Sequence, residues 1–142
     1  DGVQRDLIVV GGGTRCQYGL GQPVGEDFFI TMQGRETYKH AVRNMVHVCE
    51  EVLARNGLSG ADVDLLVPHQ ANMRIIEAVG SRLELTGDRV FTNVEKYGNT
   101  SSASIPLALS EARAQGRIRP GSRVLMTAFG AGLTWGAALL RF

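Results

Sequence analysis

Hydrophobic positions fall into two spacings along this chain: short unbroken or alternating runs, and longer stretches stepped by three and four. The short runs Leu7 to Val10, Leu65 to Val67, Val90 to Val94, Arg123 to Phe129 and Leu133 to Phe142 predict strands, and Phe28 to Thr31 predicts one more. Between them, apolar residues at 38, 41, 42, 45, 46, 49, 52 and 53 share one face of a helix from Arg35 to Asn56. Gly57 is placed to end that helix in the left-handed conformation, which glycine adopts at little steric cost. Asn72 is the expected cap of a second helix, with Ile75, Ile76, Val79 and Leu83 along one side. A third helix, Ala103 to Gln115, is expected to be capped by Ser101 or Ser102, with Pro106 in its first turns. It carries a broad apolar surface of Ile105, Leu107, Ala108, Leu109 and Ala112, so some of that surface is expected to need a covering partner. Such alternation predicts a layered α/β domain with helices packed on a mixed sheet. The last two strands, joined by the small-residue turn Gly130-Ala131-Gly132, are expected to be antiparallel.

Composition narrows this picture. At 142 residues the chain has the size of one domain, 1–142, with 44% hydrophobic residues for a single core. A net charge of +1 speaks against a nucleic-acid binder held by bulk charge. No apolar run reaches a membrane span, and no charged start leads into an apolar stretch as in a signal peptide. Cys16 and Cys49 are too few for a disulfide framework or a metal site, so a reducing, cytoplasmic setting is expected. The opening Asp1-Gly2 and the closing Leu139-Leu140-Arg141-Phe142 both lie close to strand-like runs, as expected of a fragment or a processed half.

Three segments carry candidate chemistry. In "VPHQAN", residues 67–72, an apolar run stops at a proline and His69 follows at once. Open α/β sheets place their ligand sites at such strand ends. In "KYGNTSSAS", residues 96–104, Gly98 allows a sharp turn and Asn99 precedes a helix start crowded with hydroxyls. In "AFGAGLTWG", residues 128–136, a strand-loop-strand corner has backbone amides free to meet a ligand. Gly11-Gly12-Gly13 lacks phosphate-loop spacing and reads as a flexible turn. Cys16 sits in that loop with only Arg15 nearby to lower its pKa, and Cys49 lies on the apolar face of the first helix.

These segments, in this order, resemble the C-terminal half of the β-ketoacyl-[acyl carrier protein] synthase III family, within the thiolase superfamily. The matching stretches are "TMQGRETYKHAV", "LLVPHQANMRII", "KYGNTSSASIPLALSEA", "GRIRPGSRVL" and "AFGAGLTWGAALLRF", covering nearly all of 31–142. The loop 11–25 matches poorly. The resemblance implies the C-terminal half of a thiolase-like fold and an enzyme that joins an acyl group from acyl-coenzyme A to malonyl-acyl carrier protein. It implies catalytic roles for His69 and Asn99, with the nucleophilic cysteine in an N-terminal half upstream of Asp1.

The resemblance also implies an oxyanion loop and pocket at Phe129, Gly130, Ala131 and Gly132, where the family commonly has glycine at 131. Gly34, Arg35, Ala71 and Asn72 would line the mouth of a pantetheine tunnel, and Lys39, Arg74 and Arg82 would meet the acidic acyl carrier protein or the coenzyme A phosphates. No metal and no permanently bound cofactor is implied, acyl-coenzyme A being a substrate. The expected partners are acyl carrier protein, acyl-coenzyme A and the N-terminal half, in a homodimer when complete, with neither nucleic acid nor membrane. Two other readings are a non-catalytic coenzyme A- or partner-binding fragment, and an acyltransferase of secondary metabolism built like synthase III.

Overall fold

A computed structural model describes residues 2–10, 18–23 and 25–142. The Gly11-Gly12-Gly13 turn and Cys16 lie outside the described residues. Two short strands, β1 (Ile8–Val10) and β2 (Ile30–Met32), pair antiparallel with Val9 opposite Thr31. The chain then enters the long helix α1 (Gly34–Arg55), strand β3 (Leu65–Pro68) and helix α2 (Met73–Arg82). A single turn of helix, α3 (Val94–Tyr97), precedes helix α4 (Ser104–Ala114), and strands β4 (Arg123–Gly130) and β5 (Thr134–Arg141) close the fold.

The main sheet has the order β3-β4-β5. It is mixed as expected: β3 runs parallel to β4, and β4 antiparallel to β5 with Phe129 opposite Trp135. Successive strand residues point to opposite faces, and here both faces are covered. Leu66 and Leu125 pack with Ala41, Val42, Met45 and Cys49 of α1 and with Val79 of α2. Leu65, Val67 and Val124 point the other way, onto Ala108 and Ala112 of α4 and onto Phe91 and Ile118. A strand buried on both sides needs an unbroken apolar run, which is why β3 reads Leu-Leu-Val without alternation.

Helix limits follow the sequence signals closely. Asn56 ends α1, and Gly57 takes φ 65°, the left-handed conformation its position predicts. Asn72 caps α2, its side-chain oxygen accepting the Arg74 N–H at 2.9 Å.

Two expectations are corrected. Val90 to Val94 forms no strand, only an isolated parallel bridge between Val90 and Leu66. Beyond it, the Gln70 side chain takes the place of a strand ladder, accepting the Asn93 N–H at 2.9 Å and donating to Phe91 O at 3.2 Å. The chain is thereby freed to turn into α3. Nor does Ser101 or Ser102 cap α4: both lie in a 3-10 turn before it, and Ala103 occupies the cap position without a side-chain bond.

The apolar surface of α4 is largely covered, with Ala108 and Ala112 buried and only Leu107 of the expected set exposed. Exposed apolar side chains gather instead at Phe29, Ile30 and Met32, on and beside β2.

One close approach depends on the absence of a side chain. A β-carbon on Gly80 would lie 2.6 Å from the Leu85 carbonyl oxygen and 3.1 Å from Val90 Cγ2. The Leu85 N–H bonds back to Gly80 O at 2.8 Å, so this backbone cannot simply move away. Gly80→Ala should lower the unfolding free energy by about 1–3 kcal/mol, the usual range for overpacking. Chemical denaturation reads that shift directly, and an unchanged midpoint would show the 83–85 turn to be freely movable.

Candidate active site at the end of the central sheet

His69 stands one residue past β3. Pro68 has no N–H to give, and the ladder resumes where the His69 N–H donates to Thr127 O at 2.8 Å. The imidazole backbone is thus tied to the neighbouring strand. Its Nδ1 lies 2.6 Å from the hydroxyl of Ser104, the first residue of α4. The ring is half-buried, and that burial holds its pKa below the usual imidazole range. At neutral pH the ring is therefore uncharged.

Asn99 reaches the same place by another route. Buried Gln70 donates to Pro68 O at 2.8 Å and grips Phe91 and Asn93 as described, bolting the end of β3 to the segment that leads into α3. Asn93 in turn donates to Glu111 Oε2 of α4 at 2.9 Å, and Lys96 bonds Glu111 Oε1 at 2.8 Å. These two donors, Lys96 first, lower the Glu111 pKa. After α3, Gly98 at φ 64° turns the chain sharply, and Asn99 follows. Asn99 Oδ1 accepts the Ser101 N–H at 2.9 Å, which fixes the amide orientation and leaves Nδ2 a donor with no partner among the described residues. Ser101 itself sits at φ 52°, a left-handed conformation that costs a residue with a side chain about 1–2 kcal/mol.

His69 and Asn99 both line an open cavity of about 470 Å³, together with Ser101, Phe129, Gly130 and Trp135. Phe129 and Gly130, from the end of β4, are half-buried there. Ala131 and Gly132 form the exposed turn beyond, with Gly132 at φ 139°, a conformation side chains avoid. The four expected loop positions therefore divide: Phe129 and Gly130 line the cavity, and Ala131 and Gly132 do not.

The remaining predicted site residues stand apart from this cavity. Gly34 and Arg35 are exposed at the start of α1, Ala71 is half-buried, and the side chain of Asn72 is engaged in capping α2. Lys39, Arg74 and Arg82 are exposed on α1 and α2. Lys39 bonds Glu36 at 2.7 Å, an exposed pair of little net strength. Cys49 is fully buried, and desolvation pushes its thiol up to about 11, so it is an inert core residue as its position on the helix predicts.

Among the cavity or near-cavity residues to which the sequence reading gave no site role are Ser101, Ser104 and Trp135. Trp135 could have been placed from the tight hairpin, whose register sets it opposite Phe129. Nothing local to Ser104 signals His69, because 35 positions separate them. Among the described residues, no three His, Cys, Asp or Glu side chains cluster as a metal site, and no helix is long and apolar enough to cross a membrane.

An α/β unit that brings an uncharged imidazole and an amide donor together at the carboxyl end of a mixed sheet, above a glycine corner, has the character of the C-terminal half of a thiolase-like fold. Known proteins bear this out. Residues 53–142 match the family described as 3-oxoacyl-[acyl-carrier-protein (ACP)] synthase III C terminal. The chain is 63% identical over 142 residues to a β-ketoacyl-[acyl-carrier-protein] synthase III of Nitratidesulfovibrio vulgaris (strain DP4), all of this chain aligning with 43% of that protein. The crystal structure of 3-oxoacyl-[acyl-carrier-protein] synthase III from Aquifex aeolicus VF5 superposes with a TM-score of 0.86 at 44% identity, covering 100% of this chain and 42% of that one. The priming β-ketosynthase of the R1128 polyketide pathway gives 0.83 at 34% identity, covering 99% and 42%. This chain belongs to the β-ketoacyl-[acyl-carrier-protein] synthase III family and spans less than half the length of these relatives.

Proposed function

We propose that this chain is the C-terminal half of a condensing enzyme that joins an acyl group from acyl-coenzyme A to malonyl-acyl carrier protein, initiating fatty-acid synthesis. One observation carries the reading: His69 and Asn99 line one cavity, the first an uncharged ring and the second an amide with its donor free. In the proposed reaction the bond from the malonyl carboxylate to its α-carbon breaks and releases carbon dioxide. The electron pair passes to the thioester as an enolate. His69 and Asn99 donate hydrogen bonds to the enolate oxygen without bringing a charge that would need desolvation. The enolate carbon then attacks an acyl thioester, and the thiolate leaves.

The acyl-bearing cysteine is assigned to the part of the relatives' length that this chain does not span. Cys49 cannot serve, being buried with its thiol protonated at neutral pH. The backbone of the Gly130-Ala131-Gly132 turn is the proposed donor to the acyl carbonyl. Gly34, Arg35, Ala71 and Asn72 are proposed to meet the pantetheine arm. Lys39, Arg74 and Arg82 are proposed to meet the acidic carrier protein, where rim charges speed encounter and lose effect with salt. A homodimer of the complete enzyme and a cytoplasmic setting complete the proposal.

The 142-residue chain alone should show no condensation of acetyl-coenzyme A with malonyl-acyl carrier protein, whereas adding the N-terminal half should restore it. Burial of the exposed Phe29, Ile30 and Met32 in the completed protein should also raise the melting temperature and reduce self-association. Product formation and sedimentation measure the two effects. Turnover by the 142-residue chain alone would overturn the division of labour proposed here.

A further inference from the structure

Ser104 is 2% exposed, and its hydroxyl has two hydrogen-bond partners. The Gln70 backbone N–H, 3.3 Å away, can only donate, so the hydroxyl oxygen accepts there. The other partner is His69 Nδ1 at 2.6 Å. The hydroxyl has one proton of its own, and of these two partners only the imidazole nitrogen is able to accept it. An Nδ1 that accepts this proton carries none, and the neutral ring then holds its hydrogen on Nε2.

We propose that Ser104 is a positioning residue that pins His69 in the Nε2–H tautomer with the ring fixed toward the cavity. Its backbone supports that role. Ser104 opens α4, whose Ala108 and Ala112 are fully buried against the sheet, so the hydroxyl is mounted on a rigid element. Gln70 N–H holds the same oxygen from the β3 side. The proposal builds on the donor role given to His69 above, since only the Nε2–H form presents a hydrogen on the side away from Ser104.

The test has two arms on the full-length enzyme. In the first, two-bond proton–nitrogen correlation of histidine-labelled protein reports the tautomer, with the His69 signal identified by its loss in His69→Gln. The wild type should show the proton on Nε2, Ser104→Thr should keep it, and Ser104→Ala should give a mixed or Nδ1-protonated pattern. A wild-type proton on Nδ1, or an Ser104→Ala spectrum identical to wild type, would overturn the proposal. Should Ser104→Ala fail to fold, the wild-type spectrum decides alone. In the second arm, malonyl decarboxylation by Ser104→Ala should lose about 10- to 100-fold in kcat, the range for removing a histidine's orienting partner, with KM little changed and Ser104→Thr restoring activity. An altered tautomer with unaltered decarboxylation would sustain the hold of Ser104 and overturn the donor role of His69.

Discussion

His69→Ala in the complete enzyme should slow malonyl decarboxylation by about 100- to 1000-fold, the effect of deleting one donor from an oxyanion site. Acylation of the cysteine should change far less, because the enolate exists only in the later step. The selectivity follows from geometry. His69 stands at the end of β3 with its backbone fixed to Thr127, and its ring lines the cavity beside Asn99. Removing the imidazole leaves β3 intact, since its side chain is only half-buried and its backbone bond remains. The pH dependence has a definite sign. Burial lowers the folded-state pKa of His69, so the unfolded chain binds the proton first as pH falls. Its contribution to stability is fully present above the unfolded-state pKa and is lost as pH drops through the folded-state value. The wild type should therefore keep the neutral donor somewhat further into mild acid than a solvent-exposed imidazole would. Separate assays of carbon dioxide release and of acyl transfer decide the matter. Equal losses in both steps would assign His69 a different role.

Much of the fold was legible because it rests on periodicity. The eight apolar positions of the first helix and the unbroken Leu65 to Val67 run each dictate which faces are buried, and α1 and β3 follow. Glycine and asparagine at helix ends were readable for the same local reason. The failures share a cause. Val90 to Val94 has strand-like residues, yet the side chain of Gln70 replaces the ladder partner they would need. Ser101 and Ser102 look like helix caps, yet Ser101 closes the turn that orients Asn99, and both line the cavity. A polar side chain that works across a sequence gap leaves no periodic trace. The pair His69 and Asn99 was found because a family pattern names both, whereas Ser104 needed coordinates.

Asn99→Asp should abolish decarboxylation at least as thoroughly as any other change at this position, with a loss of about 1000-fold or more. The substitution is nearly isosteric, and it separates two roles that the asparagine combines. Asn99 Oδ1 accepts the Ser101 N–H and closes the turn; its Nδ2 is the free donor. An aspartate oxygen can accept the same Ser101 N–H, so the turn and the left-handed Ser101 should persist. Asn99 is exposed, and the overall stability should stay within about 0.5 kcal/mol of wild type. The other aspartate oxygen, however, replaces a donor by a negative charge where, in the proposed reaction, the enolate charge would develop. Like charges brought this close together repel. Asn99→Ala supplies the contrast, since it removes both the turn bond and the donor but adds no charge. A purely structural asparagine would be replaced well by aspartate and poorly by alanine. A donor to the enolate gives the reverse order, with aspartate worse than alanine. Decarboxylation rates of the two variants, beside their melting curves, settle which order holds, and an active Asn99→Asp enzyme would remove Asn99 from the chemistry.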